Sequence, residues 1–159
     1  MATPRVDWVK LIVSVGLCQM AGVIGAAFTI PNIPKWYDAL SKPVIAPPGS
    51  LIGEVWLVLY ALMGIAFYLV WMKESKKEAR SAMDFFGLQL ILNVLWSFLF
   101  FCLKSPLAGL FGIAALWLAI AYTMARFWRV SRAATYLLVP YILWVTFAGY
   151  LNFLIWRMN

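Results

Sequence analysis

Five stretches without a charged residue divide this chain: Leu11–Ile30, Val55–Met72, Phe85–Leu103, Ser105–Ala125 and Ala133–Trp156. Each is long enough to cross roughly 30 Å of hydrocarbon as a helix, which takes about 20 residues. In lipid a backbone must satisfy its own hydrogen bonds, which leaves helices or closed barrels. The runs lack the strict alternation of barrel strands, so helices are expected. Composition agrees: 12% of residues are charged and 65% are hydrophobic, whereas a soluble domain carries about a quarter charged. The fold class is therefore an all-α integral membrane protein, a five-transmembrane-helix bundle. One domain over 1–159 is expected, with helices near 7–30, 51–72, 82–103, 105–128 and 133–157 and a lid-like loop at 31–50. The first run is long and lacks a small-x-small exit, so it reads as a span and not as a cleaved leader.

Local signals refine these boundaries. Ser105-Pro106 reads as N-cap and first residue of the fourth helix. Ser81 to Asp84 resembles a capping box before the third. Pro140 lies inside the fifth run and predicts a kink. The loop 31–50 (PNIPKWYDALSKPVIAPPGS) holds five of the eight prolines, with Trp36 and Tyr37. Such a loop is pre-stiffened and suited to act as a lid, a role surface loops often take.

The net charge of +7 would suggest nucleic acid in a soluble protein. Here the basic residues occupy short connections between apolar runs, which is the pattern of membrane orientation, and no nucleic-acid partner is expected. Let side A be the N-terminal side. It carries Arg5, Lys10, Lys73, Lys76, Lys77, Arg80, Arg126, Arg129 and Arg132. Side B carries Lys35, Lys42, Lys104 and Arg157. Nine against four predicts the N-terminus inside and the C-terminus outside, in a prokaryotic cell membrane. Trp8, Trp71 and Trp128 fall at the side A interface, as an aromatic belt.

The sequence contains no histidine, which removes the commonest metal ligand and the usual general base. No metal site is expected. Cys18 and Cys102 lie in apolar runs and read as small packing residues. No acid or base falls in mid-membrane, which argues against an ion-coupled transporter.

Neutral polar and aromatic chemistry remains, and much of it shares one depth. Trp56 and Tyr60 begin the second helix. Gln89, Asn93, Trp96 and Ser97 follow one face of the third. Tyr141, Trp144, Ala148 and Leu151 share a face of the fifth, and Ala21, Gly22, Gly25 and Ala26 end the first. Aromatic walls, an amide, small residues and a lid thus converge in the side B half. That combination suits a flat, lipophilic ligand, stacked on rings and oriented by few polar groups.

WYDALSKP (Trp36–Pro43), APPG and EVWLVLYALMGIA (Glu54–Ala66) resemble the first loop and second helix of the TspO family. These are the tryptophan-rich sensory proteins and the mitochondrial translocator protein, also called the peripheral-type benzodiazepine receptor. LQLILNVLWSFLFF (Leu88–Phe101) resembles its third helix and VPYILWVTFAGYLNFLIW (Val139–Trp156) its fifth. The resemblance implies a five-helix bundle, often dimeric, that binds protoporphyrin IX or other tetrapyrroles as ligand and needs no cofactor. It places Trp36, Tyr37, Trp56, Tyr60, Asn93, Trp96, Trp144 and Ala148 at ligand-pocket positions. Light-dependent breakdown of protoporphyrin in some bacterial members would make Trp56 and Trp144 photochemically catalytic, with Trp36 also matching. Sterol binding through the animal cholesterol motif is not expected: Phe153 stands where that motif has tyrosine, and Tyr150 lies one residue too far from Arg157. For the homodimer, Ala108/Gly112 and Ala115/Ala119 are small-xxx-small pairs. Three readings remain open: a porphyrin receptor or sensor that also carries its ligand, a light-dependent porphyrin-degrading enzyme, and a structural membrane subunit.

Overall fold

The computed structural model describes residues 6–74 and 77–159. Arg5 and Lys76, two of the basic residues counted for side A, lie outside that range. The helices are α1 (Trp8–Thr29), α2 (Gly49–Trp71), α3 (Lys77–Ser97), α4 (Pro106–Val130), α5 (Arg132–Leu137) and α6 (Val139–Met158). With a π-helical turn at Phe98–Cys102 prolonging α3, and with α5 and α6 taken together, they make five spans long and apolar enough to cross a membrane.

Packing follows the logic of lipid as solvent, with small or polar residues inside and large apolar ones outside. On α1 the buried residues are Ser14, Cys18, Ala21 and Gly25, a stripe at spacings of three and four. Val9, Ile12, Met20 and Val23 cover its outer face. Small stripes let helix backbones approach closely, which drives association where no hydrophobic effect acts between helices. The tightest approach is at Gly64 of α2, where an added Cβ would lie 2.6 Å from the Val15 Cα of α1. On α4 the buried face is Gly109, Ile113, Leu116, Ile120, Thr123, Phe127 and Val130, the three-four alternation of a left-handed bundle.

Two expectations are corrected, at Ser81 and Cys102, and two are given their form, at Pro140 and Gly112. The capping box at Ser81 is not used, because α3 begins earlier, at Lys77; the Ser81 hydroxyl instead accepts from Arg126 Nη2 at 2.7 Å. The kink expected at Pro140 takes the form of a one-residue interruption of the fifth span at Leu138. Pro140 offers no N–H to the carbonyl four residues back, and the chain restarts as α6 after Leu138. Both pieces pack on α4, and α5 packs on α2 as well. Cys18 is buried, but Cys102 lies on the outer surface and packs nothing. Finally, Gly112 faces into the bundle: a Cβ there would meet Leu99 Cδ1 at 2.8 Å. Gly112 therefore serves the contact of α4 with α3 and its π-helical turn. Ser105 does cap α4, accepting from the Ala108 N–H at 3.1 Å.

The side A end is tied by charge. Lys10 Nζ donates to Glu74 at 2.7 Å, Lys73 Nζ donates to the Val130 carbonyl, and Trp71 Nε1 donates to the other Glu74 oxygen at 2.8 Å. The hydrogen bond from Lys10, and then that from Trp71, hold the Glu74 carboxyl below its ordinary value of 4.5. Trp128 stacks edge-on to Tyr136 and lies 5.0 Å beneath Arg132, so all three belt tryptophans flank charged residues at this end.

The Gly64–Val15 contact gives a direct check. Gly64→Ala should destabilise the protein in detergent by about 1–3 kcal/mol, because the added methyl meets backbone that cannot yield. Gly16→Ala, whose Cβ meets nothing within 4 Å, should leave the melting temperature unchanged. Equal behaviour of the two variants would refute the tight α1–α2 approach.

Candidate functional site

A cavity of about 330 Å³ opens in the side B half, between α1, α2, α3 and α6 and beneath the loop. That volume lies within the range of small-molecule sites, roughly 300–1,000 Å³. Its walls are largely rings. Trp56 stacks on Tyr60 at 5.5 Å and 30° and stands 6.4 Å from Trp96. Trp96 stacks in turn on Phe100 at 5.8 Å. Trp144 and Ala148 bring α6 to the opposite wall.

The polar groups form an ordered chain through the core. Tyr60 Oη donates to Asn93 Oδ1 at 2.6 Å. Asn93 Nδ2 donates to Tyr141 Oη at 2.8 Å, and Tyr141 Oη donates to Gln89 Oε1 at 2.8 Å. All four residues are buried. Each hydroxyl and amide in this series uses a partner on another helix, so α2, α3 and α6 are cross-linked beneath the cavity. A second link joins Trp96 Nε1 to Asn152 Oδ1 at 3.3 Å, while Asn152 Nδ2 donates to the Pro106 carbonyl at 2.7 Å. Two buried side-chain nitrogens have no partner among the described residues, Gln89 Nε2 and Trp144 Nε1. Only Trp144 belongs to the cavity wall, and its indole N–H is itself buried.

Of the eight residues singled out by sequence, seven line this cavity: Tyr37, Trp56, Tyr60, Asn93, Trp96, Trp144 and Ala148. Trp36 does not. It sits behind the wall, edge-on to Phe100 at 5.4 Å, and borders a separate shallow cleft with Lys104, Trp156 and Asn159. Tyr37 closes the end of the cavity from the loop. Burial, and then the neighbouring Asp38 carboxylate, push its phenol above the ordinary value of 10.0, so it remains neutral.

The sequence reading missed Phe100, Phe101, Asn152 and Gln19 as wall residues. Phe100 and Phe101 are adjacent and both buried. The π-helical turn, closed by Leu103 N to Phe98 O at 3.0 Å, widens the helix and turns both rings inward. Asn152 had a readable signal: it follows Ala148 by one helical turn on the Trp144 face.

The fold and site together define a class, a helical membrane protein with an aromatic cavity inside the bilayer. Residues 14–157 match the TspO/MBR family, and the chain belongs to that family. It is 44% identical over 153 residues to the "Tryptophan-rich protein TspO" of Chlorobaculum tepidum, covering 94% of this chain and 95% of that one. To the protein of the same name from Archaeoglobus fulgidus it is 41% identical over 150 residues, covering 94% and 97%. The "Tryptophan-rich sensory protein" of Cereibacter sphaeroides is 34% identical over 155 residues, covering 98% and 94%.

Tyr141→Phe tests the polar chain. It leaves Asn93 Nδ2 without its acceptor and Gln89 Oε1 without its donor, and should cost about 1–3 kcal/mol in thermal unfolding. Tyr136→Phe, on an exposed ring, should change stability by no more than about 0.5 kcal/mol. A silent Tyr141→Phe would show that the chain of hydrogen bonds contributes no stability.

Proposed function

We propose that this protein is a membrane receptor or sensor for protoporphyrin IX or a related flat, lipophilic tetrapyrrole, held in the side B cavity. The observation that carries this reading is the wall itself: Trp56, Trp96 and Trp144 around one largely apolar space. Aromatic faces stack on a macrocycle, and a wall lined by no charged side chain holds it without the cost of burying a charge. The "sensory" name of the Cereibacter sphaeroides relative supports the same direction.

Protoporphyrin IX should bind the purified protein in darkness with a Kd in the low-micromolar range, on the order of −8 kcal/mol. Trp144→Ala should weaken binding by about 1–3 kcal/mol through lost stacking and a cavity. Trp128→Ala, at side A, should leave it unchanged. Equal losses from both, or no quenching by the porphyrin at all, would overturn the reading.

A second reading, a light-dependent porphyrin-degrading enzyme, is favoured by one contact. Trp56 stacks on Tyr60 within the cavity, so an excited ring beside Trp56 would meet an oxidisable pair shielded from water. Illumination of the same samples separates the two. Stable porphyrin means a receptor. Loss with a new bound product, slowed by Trp56→Phe far more than dark binding is weakened, means an enzyme.

For orientation we propose the N-terminus on the cytoplasmic side of a prokaryotic cell membrane. The support is the nine-to-four excess of Lys and Arg on side A, since cytoplasmic loops carry the positive excess. A reporter fused after Asn159 should read as outside, and one inserted near Arg80 as inside; the opposite pattern rejects this assignment.

A further inference from the structure

The cavity has two boundaries that a ligand could cross, and they are held very differently. The loop boundary is stapled. Tyr37 is only 6% exposed and packs on Phe100 and Phe101 at 6.2 and 5.7 Å. Lys42 Nζ donates to the Tyr37 carbonyl at 3.0 Å and lies 4.4 Å over its ring. The Asn159 side chain clasps the Ser41 backbone twice, accepting from its N–H at 3.0 Å and donating to its carbonyl at 2.9 Å.

The other boundary is the seam between α1 and α2, and there the cavity reaches the lipid-facing surface. Val23 and Leu57 line the cavity yet are 63% and 62% exposed, so each is at once cavity wall and outer surface. Toward side A the two helices touch at Gly64 and Val15. Toward side B the facing residues on α2 are Gly49, Gly53 and Leu57, one helical turn apart. A Cβ added at Gly53 meets nothing within 4 Å. Toward side B, one side-chain hydrogen bond among the described residues crosses the seam, from Gln19 Nε2 to the Leu57 carbonyl at 3.0 Å, and it marks the inner edge of the opening.

We infer that lipophilic ligands enter this cavity sideways from the hydrocarbon, through a portal between α1 and α2 bounded by Val23, Gly53 and Leu57, with the Gln19–Leu57 hydrogen bond as its sill. A flat apolar ring partitions into the bilayer before it meets the protein. Entry through the portal keeps it in an apolar medium throughout, whereas entry through the loop requires its return to water and the lifting of Tyr37 off two phenylalanines. The portal presents no charged side chain, so it selects for ligands that lead with an apolar edge and trail any carboxylates toward the side B headgroups.

The inference rests on the porphyrin reading for its ligand but not for its geometry, and two measurements separate them. In the first, association and dissociation of protoporphyrin IX are followed in phosphatidylcholine vesicles by tryptophan quenching. Gly53→Phe, which places a ring in the opening without a clash, should slow both rates together by about tenfold, the behaviour of a blocked gate. Asn159→Ala, which releases the loop, should leave both within about twofold. Unchanged rates in Gly53→Phe, or a parallel rise in both rates in Asn159→Ala, would overturn the portal. In the second, no porphyrin is present and the vesicles contain phosphatidylcholine brominated on its acyl chains. The emission due to Trp56, taken as wild type minus Trp56→Phe, should be quenched by the bromolipid, and the same difference in a Gly53→Phe background should be protected. If Trp56 emission is not quenched in the wild-type background, the seam is closed to lipid and the inference fails, whether or not porphyrin binds.

Discussion

The hydrogen-bonded series from Tyr60 through Asn93 and Tyr141 to Gln89 is the interaction on which the rest of the bundle depends. In lipid, apolar side chains gain little by touching one another in place of acyl chains, so helices are held by packing and by polar groups that would otherwise be stranded. Here one phenol, two amides and a second phenol draw α2, α3 and α6 together at a single depth. They also give the cavity its floor. Tyr60 and Asn93 line it while using their donors and acceptors on each other and on Tyr141, so the space above them is largely apolar despite its polar lining residues.

Small residues complete what the polar chain begins. Where Gly64 meets Val15, α1 and α2 approach closely, and where Gly22 lies against the Tyr60 ring, the ring is pressed toward Asn93. Toward side B the seam is open at Gly53, where an added Cβ would meet nothing within 4 Å. Close packing at one end and an opening at the other are thus two effects of one residue type, decided by what stands opposite.

The side A end has a different character. Its contacts are ion pairs, cation–π contacts and hydrogen bonds among Lys10, Trp71, Lys73, Glu74 and Val130, at the level where a bilayer gives way to headgroups and water. The cavity and the loop lie at the opposite end. The bundle is therefore tied by polar contacts at one end and holds its cavity at the other.

Much of this was legible in the sequence because lipid imposes period and length directly. Uncharged runs of about 18 residues or more, helical spacing, and the depth shared by Trp56, Asn93, Trp96 and Trp144 follow from one-dimensional rules of membrane thickness and helical turn. The cap at Ser105 was equally local. What the sequence could not decide were the relations between helices and the local departures from helical form. The π-helical turn that points both Phe100 and Phe101 inward, the break at Leu138, the inward placement of Gly112 and the exclusion of Trp36 from the cavity each depend on a neighbour distant in the chain. The sequence by itself determined that there would be five spans and which residues share a depth, since those properties belong to single helices in lipid. Only the tertiary structure decided which of those residues meet, which donor is left without a partner, and where the wall opens, because those are properties of the space between helices.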